Sequence, residues 1–240
     1  MPSKKFALVI PTLNEAGNIL TILDAVKVSL TPTGPYEVIV VDDNSSDGTA
    51  DLVTHYSARE RWVRVLVRKN ARGLAGAILY GWEHTDADWL GAMDADLQHP
   101  PELLPKLLAA MQNGADIAIA SRYLQGNGTR GWNPARRLIS SAGTWITVPL
   151  QRHKIRVKDP LSGFFIVRRS GIEGIELQRQ GFKLLLEILV RGRIRHAVEV
   201  PFHFGVRHAG KSKASLRVAL NYFSLLGRLS VDTILKSDPQ

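Results

Sequence analysis

The chain has 240 residues, 45% of them hydrophobic and 22% charged, a composition typical of a globular protein long enough to bury a core without staples. It contains 0 Cys, which excludes disulfides, thiolate metal sites and a cysteine nucleophile and suits a reducing compartment. The net charge of +9 is uneven, −5 over residues 1–120 and +14 over residues 121–240; a basic half is suited to phosphates, whether of nucleic acid, anionic lipid head groups or phosphorylated substrates.

The N-terminal MPSKKFALVIPTLNE has no small-residue cleavage site after its short apolar run, so residues 6–11 read as a buried strand and not as a signal peptide. No run of 18 apolar residues is free of charge, so no segment is a clear membrane span. Ile19, Ile22, Leu23 and Val26 give residues 18–30 helical spacing. Residues 36–41 (YEVIVV) form a second buried strand ending in Asp42 and Asp43, and 49–58 a helix. A third strand covers 63–67, a helix 74–84, and a fourth strand 89–93, ending in Asp94-Ala95-Asp96. Pro100 and Pro101 open the next helix, as proline does at first helical positions, and 117–120 is a fifth strand. Apolar strands alternating with helices imply an α/β fold with a mostly parallel sheet covered on both faces. In such sheets ligands bind beyond the carboxyl ends of the strands, so the polar groups after strands one, two, four and five should line one cleft.

The second half is less regular. Residues 125–133 form a Gly- and Asn-rich loop, 136–150 an amphipathic helix, 159–167 a turn entering a strand, and 206–213 a basic loop. Residues 214–235 read as a helix with Leu216, Leu220, Phe223 and Leu226 on one face. Both amphipathic helices mix apolar faces with Arg, as interfacial helices do, though core-facing helices share that pattern.

Asp94 and Asp96 sit at a strand end, where alternation puts both carboxylates on one side. Two such groups repel unless a cation or proton lies between them. Oxygen-only ligands favour Mg²⁺ or Mn²⁺, and Gln98 can supply a neutral oxygen. A DxD standing alone is more often a pair of solvated turn aspartates. Its place after a buried strand, in one cleft with Asp42 and Asp43, favours the functional reading. In the stretch after strand two, Asp43 can accept hydrogen bonds from ribose hydroxyls or a base edge, while Asp47-Gly48-Thr49 caps a helix. A dinucleotide-binding enzyme also carries an acid after strand two, but PTLNE (11–15) stands where the G-x-G-x-x-G cradle would be, and no Walker-type loop is present. A nucleic-acid-binding module would suit a pI near 10.0, but the acidic cleft and the lack of an aromatic stacking platform argue against it. His99, His153, His203 and His208 show no metal-ligand spacing and read as structural or loop residues.

The motifs PTLNE (11–15), VVDDNSSDGT (40–49), GLAGA (73–77), DADLQHPPE (94–102), SRY (121–123), RRLIS (136–140), SGFF (162–165) and GKSK (210–213), in this order and spacing, resemble family-2 glycosyltransferases, and more narrowly the dolichol- or polyprenol-phosphate mannosyltransferases. The resemblance implies a GT-A fold, Mg²⁺ or Mn²⁺, a nucleotide-sugar donor and a dolichyl or polyprenyl phosphate acceptor, with an inverting transfer. GDP-mannose is the donor it favours, and UDP-glucose or another UDP-sugar stays open. Carried over motif by motif, Pro11, Leu13, Glu15, Val41, Asp43, Asp94 and Ala95 would contact the donor, with Lys183 a weaker correspondence; many relatives have an aromatic residue where Leu13 stands. Asp94, Asp96 and Gln98 would hold the metal, and Arg122, Arg136 and Ser140 the acceptor phosphate. Arg207 and Lys213 would close over the diphosphate and join Asp96 and Arg122 as catalytic groups. The implied organisation is a catalytic domain over 1–213, with a donor and metal half (1–120) and an acceptor half (121–213), followed by an amphipathic, membrane-interfacial segment (214–240). It implies an enzyme at the cytoplasmic face of a membrane, peripheral, or integral if the sequence is part of a longer chain, and no nucleic-acid partner.

Overall fold

The computed structural model describes residues 6–124, 147, 155–181 and 183–202. The first four strands, β1 (Phe6–Thr12), β2 (Tyr36–Asp42), β3 (Val63–Val67) and β4 (Trp89–Ala92), fall where the sequence places them. Between them run α1 (Ile19–Leu30), α2 (Thr49–Ser57) and α3 (Leu74–Glu83). The next helix was expected to open at the two prolines. A 3-10 turn at Pro101–Leu103 comes first, and α4 (Leu104–Gln112) follows. β5 (Ile117–Ser121), β6 (Phe165–Arg168), α5 (Leu184–Arg191) and β7 (Ala197–Pro201) follow.

The seven strands form one sheet in the order β3-β2-β1-β4-β6-β5-β7. All neighbours are parallel except those of β6, which runs antiparallel to both β4 and β5. This reversal matters for the site. Phe165 at the start of β6 is opposite Ala92 at the end of β4, so the turn leading into β6 lies at the carboxyl ends of the parallel strands.

Side-chain alternation divides the core into two layers. Phe6, Leu8, Ile10, Val38 and Val40 face α1 and α4, whose Ile22, Leu23, Val26, Leu104 and Leu107 complete that layer. Ala7, Val9, Ile39 and Val41 face α3 and α5, with Ile78, Trp82, Leu185 and Ile188. Burial on both faces explains why these strands read as unbroken apolar runs. Trp82 packs edge-on to Phe165 and donates its indole N–H to the Gly91 carbonyl at 3.0 Å, satisfying its one polar atom.

Sequence reading missed α5 and β7. Every residue from Leu184 to Val190 is buried, Glu187 included, and a short, mostly apolar run of eight residues does not by itself tell a buried helix from a buried strand. β7 is half-buried throughout and interrupted by Glu199. The expected loops at 125–133 and 206–213, the helices at 136–150 and 214–235, and Arg136, Ser140, Arg207 and Lys213 lie outside the described residues. Among the described residues no helix is long and apolar enough to cross a membrane.

Candidate active site

A cavity of about 300 Å³ opens at the carboxyl ends of β1, β2 and β4. From β1 and its loop it takes Pro11, Thr12, Leu13 and Glu15, from the end of β2 Asp43, from the start of α3 Gly73 and Leu74, and from the end of β4 Asp94, Ala95 and Asp96. A larger cavity of about 570 Å³, between α3 and residues 169–180, holds none of the predicted site residues.

The loops after β1 and β2 are stitched together. Asn14 donates its backbone N–H to Ser45 Oγ at 2.8 Å and accepts the Ser46 N–H at 3.0 Å. Glu15 N–H donates to Thr49 Oγ1 and Ala16 N–H to Asp47 Oδ2, each at 3.0 Å. Burial pushes the Asp47 carboxyl pKa up, but hydrogen bonds from Thr49 and from the Ala16 and Thr49 N–H groups outweigh it and lower the pKa. Asn14 and Asn44 take positive φ, 59° each, a conformation asparagine tolerates better than most residues. Buried Asp42 holds the second loop by accepting from Ser45 N–H at 2.7 Å and Thr12 Oγ1 at 2.9 Å.

Asp43, buried at the cavity wall, was predicted as a donor contact. It accepts from Arg68 Nε at 2.7 Å through Oδ1 and from Gly73 N–H at 2.8 Å through Oδ2. It therefore presents to the cavity a carboxylate already fixed on two sides. The Val41 expectation needs correcting: its side chain is 0% exposed and packs in the layer beneath α3, so it supports the cavity from behind and does not line it.

The Asp94–Asp96 segment follows β4, which ends at Ala92. Both aspartates line the cavity, but a turn orients them and not strand alternation. The turn is forced through Leu97 at φ 59°, an uncommon conformation for a bulky residue and a local strain of the kind that collects at functional sites. Gln98 N–H donates to Asp96 Oδ1 at 3.2 Å and orients that carboxylate, while Gln98 itself does not line the cavity. Beneath lies His99, 4% exposed and against the rings of Phe164 and Phe202. Burial pushes its pKa down to about 4, so the ring is neutral, and Nδ1 accepts the Asp94 N–H at 3.3 Å. His99 is thus a structural support for Asp94.

The turn before β6 forms the next wall. A Cβ on Gly163 would stand 2.8 Å from Asp94 Oδ2, so only glycine leaves that oxygen its present position. Asp159, 0% exposed, accepts from Arg122 Nε at 2.7 Å, from Nη2 at 2.6 Å and from the Arg122 backbone N–H at 3.0 Å. Burial works against the Arg122 charge, and Asp159 more than restores it, raising the pKa. Arg122, expected at the acceptor phosphate, has its Nε–Nη2 edge on Asp159, so a phosphate would meet the Nη1 side of the guanidinium. Lys183, at the start of α5, places Nζ 3.4 Å from the Leu161 carbonyl. Burial and the Arg122 charge push its pKa down to about 8, against the pull of Asp94 and Asp159. Lys183 does not line the cavity; it is buried within electrostatic reach of Asp94, Asp159 and Arg122.

Among the described residues no three His, Cys, Asp or Glu side chains gather to hold a metal by themselves. Asp94 and Asp96 offer two carboxylates on one cavity, and Gly163 keeps Cβ atoms away from Asp94. That oxygen-only set fits Mg²⁺ or Mn²⁺; Mg²⁺ is commonly held through one or two carboxylates together with water and substrate phosphates.

Sequence reasoning missed Arg68, Asp159 and Gly163. The first was visible in principle. Asp42 and Val67 are register partners on parallel β2 and β3, so the residues that follow, Asp43 and Arg68, are neighbours.

The family model for glycosyl transferase family 2 matches residues 7–175. A dolichol-phosphate mannosyltransferase of Pyrococcus furiosus is 40% identical over 238 residues, covering 97% of this chain and 67% of the relative. One from Saccharomyces cerevisiae is 36% identical over 240 residues, covering 95% and 88%. Among solved structures, a Pyrobaculum calidifontis mannosyltransferase in complex with GDP-Man and Mn²⁺ superposes with a TM-score of 0.63 at 15% identity, covering 99% of this chain and 66% of that one. Glucosyl-3-phosphoglycerate synthase of Mycobacterium tuberculosis, in complex with Mn²⁺, UDP-Glc and phosphoglyceric acid, gives 0.61 at 20% identity, covering 99% and 81%. At these identities the structural likeness speaks for the fold alone, which is of the GT-A type. With its strand-end cleft walled by PTLNE, the Asp43 loop and DADLQ, the chain belongs to glycosyl transferase family 2 and is a glycosyltransferase.

Proposed function

We propose that the chain transfers mannose from GDP-mannose to the phosphate of dolichol or a related polyprenol, inverting the anomeric centre, at a membrane surface. The observation that carries this reading is the gathering of opposite charges at Asp94. Asp94 and Asp96 line the cavity with Glu15 and Asp43, and buried Arg122, paired with Asp159, and buried Lys183 are both within electrostatic reach of Asp94. The relatives of known name at 36–40% identity support the donor and acceptor.

In this reading Pro11, Leu13, Glu15, Asp43 and Ala95 bind the nucleotide end of the donor, and Asp94 and Asp96 would hold Mg²⁺ or Mn²⁺, with Gln98 assigned beside them by resemblance alone. The bound metal would supply charge neutralisation for the departing diphosphate. Asp96, oriented by the Gln98 N–H, and Asp94, oriented through His99 and Gly163, keep their ligand oxygens fixed before substrate arrives, which is how preorganised sites avoid reorganisation in the transition state. The acceptor is already an anion, since a phosphate monoester loses its second proton near pH ~6, so it needs positioning more than a strong base. Arg122 supplies a positive charge whose inner edge is locked by Asp159, with Arg136 and Ser140 assigned beside it by resemblance. Arg207 and Lys213 are assigned, also by resemblance, to close over the diphosphate. Residues 1–120 form the donor half, 121–213 the acceptor half, and 214–240 an interfacial segment on the cytoplasmic face of the membrane.

Donor competition tests the reading. With Mn²⁺ present, unlabelled GDP-mannose should displace bound GDP-[¹⁴C]mannose at far lower concentration than UDP-glucose does. Preferential retention of UDP-glucose would assign the same site to a glucosyl donor.

A further inference from the structure

The donor cavity sets an electrostatic problem. Glu15, Asp43, Asp94 and Asp96 all line it, and a nucleotide sugar brings a diphosphate of the same sign. The metal answers for Asp94 and Asp96. Asp43 is a separate case, because it is buried and an uncompensated buried carboxylate repels an incoming anion as well as costing stability.

We propose that Arg68 is the positioning residue of the donor end, acting through Asp43 to make it a charge-compensated hydrogen-bond acceptor for the nucleoside while the diphosphate binds nearby. The inference rests on reading this cavity as the nucleotide-sugar site. Arg68 directly follows β3, and its backbone N–H donates to Asp42 O at 2.8 Å, which fixes its Cα at the strand end. Its guanidinium then reaches Asp43, with Nη2 2.6 Å and Nε 2.7 Å from Oδ1, and both side chains are more than nine-tenths buried. Nη2 also donates to Gly73 O at 3.0 Å, while Gly73 N–H donates to Asp43 Oδ2 at 2.8 Å. The three residues close a ring in which arginine holds both the carboxylate and the loop that borders the cavity.

Two glycines fit this ring. Gly73 has φ 132°, where a side chain is strained. Gly76 has no room for one, since a Cβ would stand 2.8 Å from both the Arg179 backbone carbonyl oxygen and Arg68 Nη1. The Arg68 guanidinium thus packs closely over the GLAGA stretch. A lysine could carry the charge but not the fork to Asp43 and Gly73.

The test uses Arg68→Met and Arg68→Lys beside the wild type. GDP affinity is measured with Mn²⁺ by calorimetry, and initial rates are taken against GDP-mannose and dolichyl phosphate in turn. Losing one partner of a buried charged pair should weaken GDP and raise the donor KM at least about tenfold in Arg68→Met. Arg68→Lys should fall between it and the wild type. The acceptor KM should stay near wild type, and kcat should change less than donor KM. Folded variants with unchanged donor KM and GDP affinity overturn the proposal, as does a parallel rise in donor and acceptor KM. If Arg68→Met does not fold, Arg68→Lys decides alone by the same comparison. A wild-type protein that binds neither GDP nor GDP-mannose contradicts the reading of the cavity instead.

Discussion

Gly163→Ala separates the geometry of the Asp94 carboxylate from the stability of the fold. Gly163 does not take a left-handed φ, so alanine meets no backbone strain there; it meets Asp94. The new Cβ would lie 2.8 Å from Oδ2 and 3.2 Å from both Cγ and Oδ1, where ordinary contact begins at 3.4 Å. Relief requires the carboxylate to retreat by roughly 0.6 Å, just beyond the tolerance of about 0.5 Å within which catalytic groups must be held. Since a misplacement of about 1 Å can cost about 100-fold in rate, kcat/KM should fall about 10- to 100-fold. The Mn²⁺ concentration for half-maximal rate should rise, because Asp94 is an assigned ligand. The thermal midpoint should move by no more than about 3 °C, since no buried apolar contact is lost. Initial rates over a Mn²⁺ series, with a melting curve on the same sample, measure both. A variant of normal melting point whose rate and metal dependence match the wild type would refute the placement of Asp94.

Three further outcomes are expected. Asp96→Asn should lower kcat/KM by about three orders of magnitude with the melting point retained, as the loss of several kcal/mol of charge stabilisation requires; rates near wild type would remove Asp96 from the metal site. Asp159→Asn should leave Arg122 buried without its counter-charge and cost about 3–5 kcal/mol in urea unfolding, and Arg122→Met added to it should recover part of that loss. His99 has a folded pKa depressed to about 4 from 6.5, so between those values the unfolded chain binds more protons. Its contribution, up to about 3 kcal/mol, is present above pH 6.5 and lost as the pH falls toward 4. Urea titrations of His99→Phe and the wild type should therefore show a smaller acid destabilisation in the variant across that window.

The donor side of the cleft was legible because its parts are local. β1 and β2 are buried apolar runs that stop abruptly at polar loops, and the rule for parallel sheets then gathers those loops at one edge. Asp94 and Asp96 could be read from the same punctuation, although a strained Leu97 and not strand alternation turns them into the cavity. The other side was not legible, because its contacts span long separations. Arg122 and Asp159 are 37 positions apart, and each looks alone like a surface charge. The direction of β6 is equally silent in DPLSGFFIV; only the topology shows that its leading turn faces the DAD segment. α5 was not read because it is only eight residues long and its one acid, Glu187, is buried in an ion pair with Arg191, so the run resembles a buried strand as much as a helix.

On the function proposed above, mannose moves from GDP-mannose onto dolichyl phosphate in this cleft. The most direct measurement incubates the purified chain with Mn²⁺ or Mg²⁺, dolichyl phosphate and labelled GDP-mannose or UDP-glucose in parallel. It follows label into the organic phase and determines the anomeric configuration of the product by NMR. The expected result is transfer from GDP-mannose that requires both metal and lipid phosphate and yields the β-mannosyl phosphate. Transfer from UDP-glucose alone, an α product, or full activity with a chelator present would contradict it.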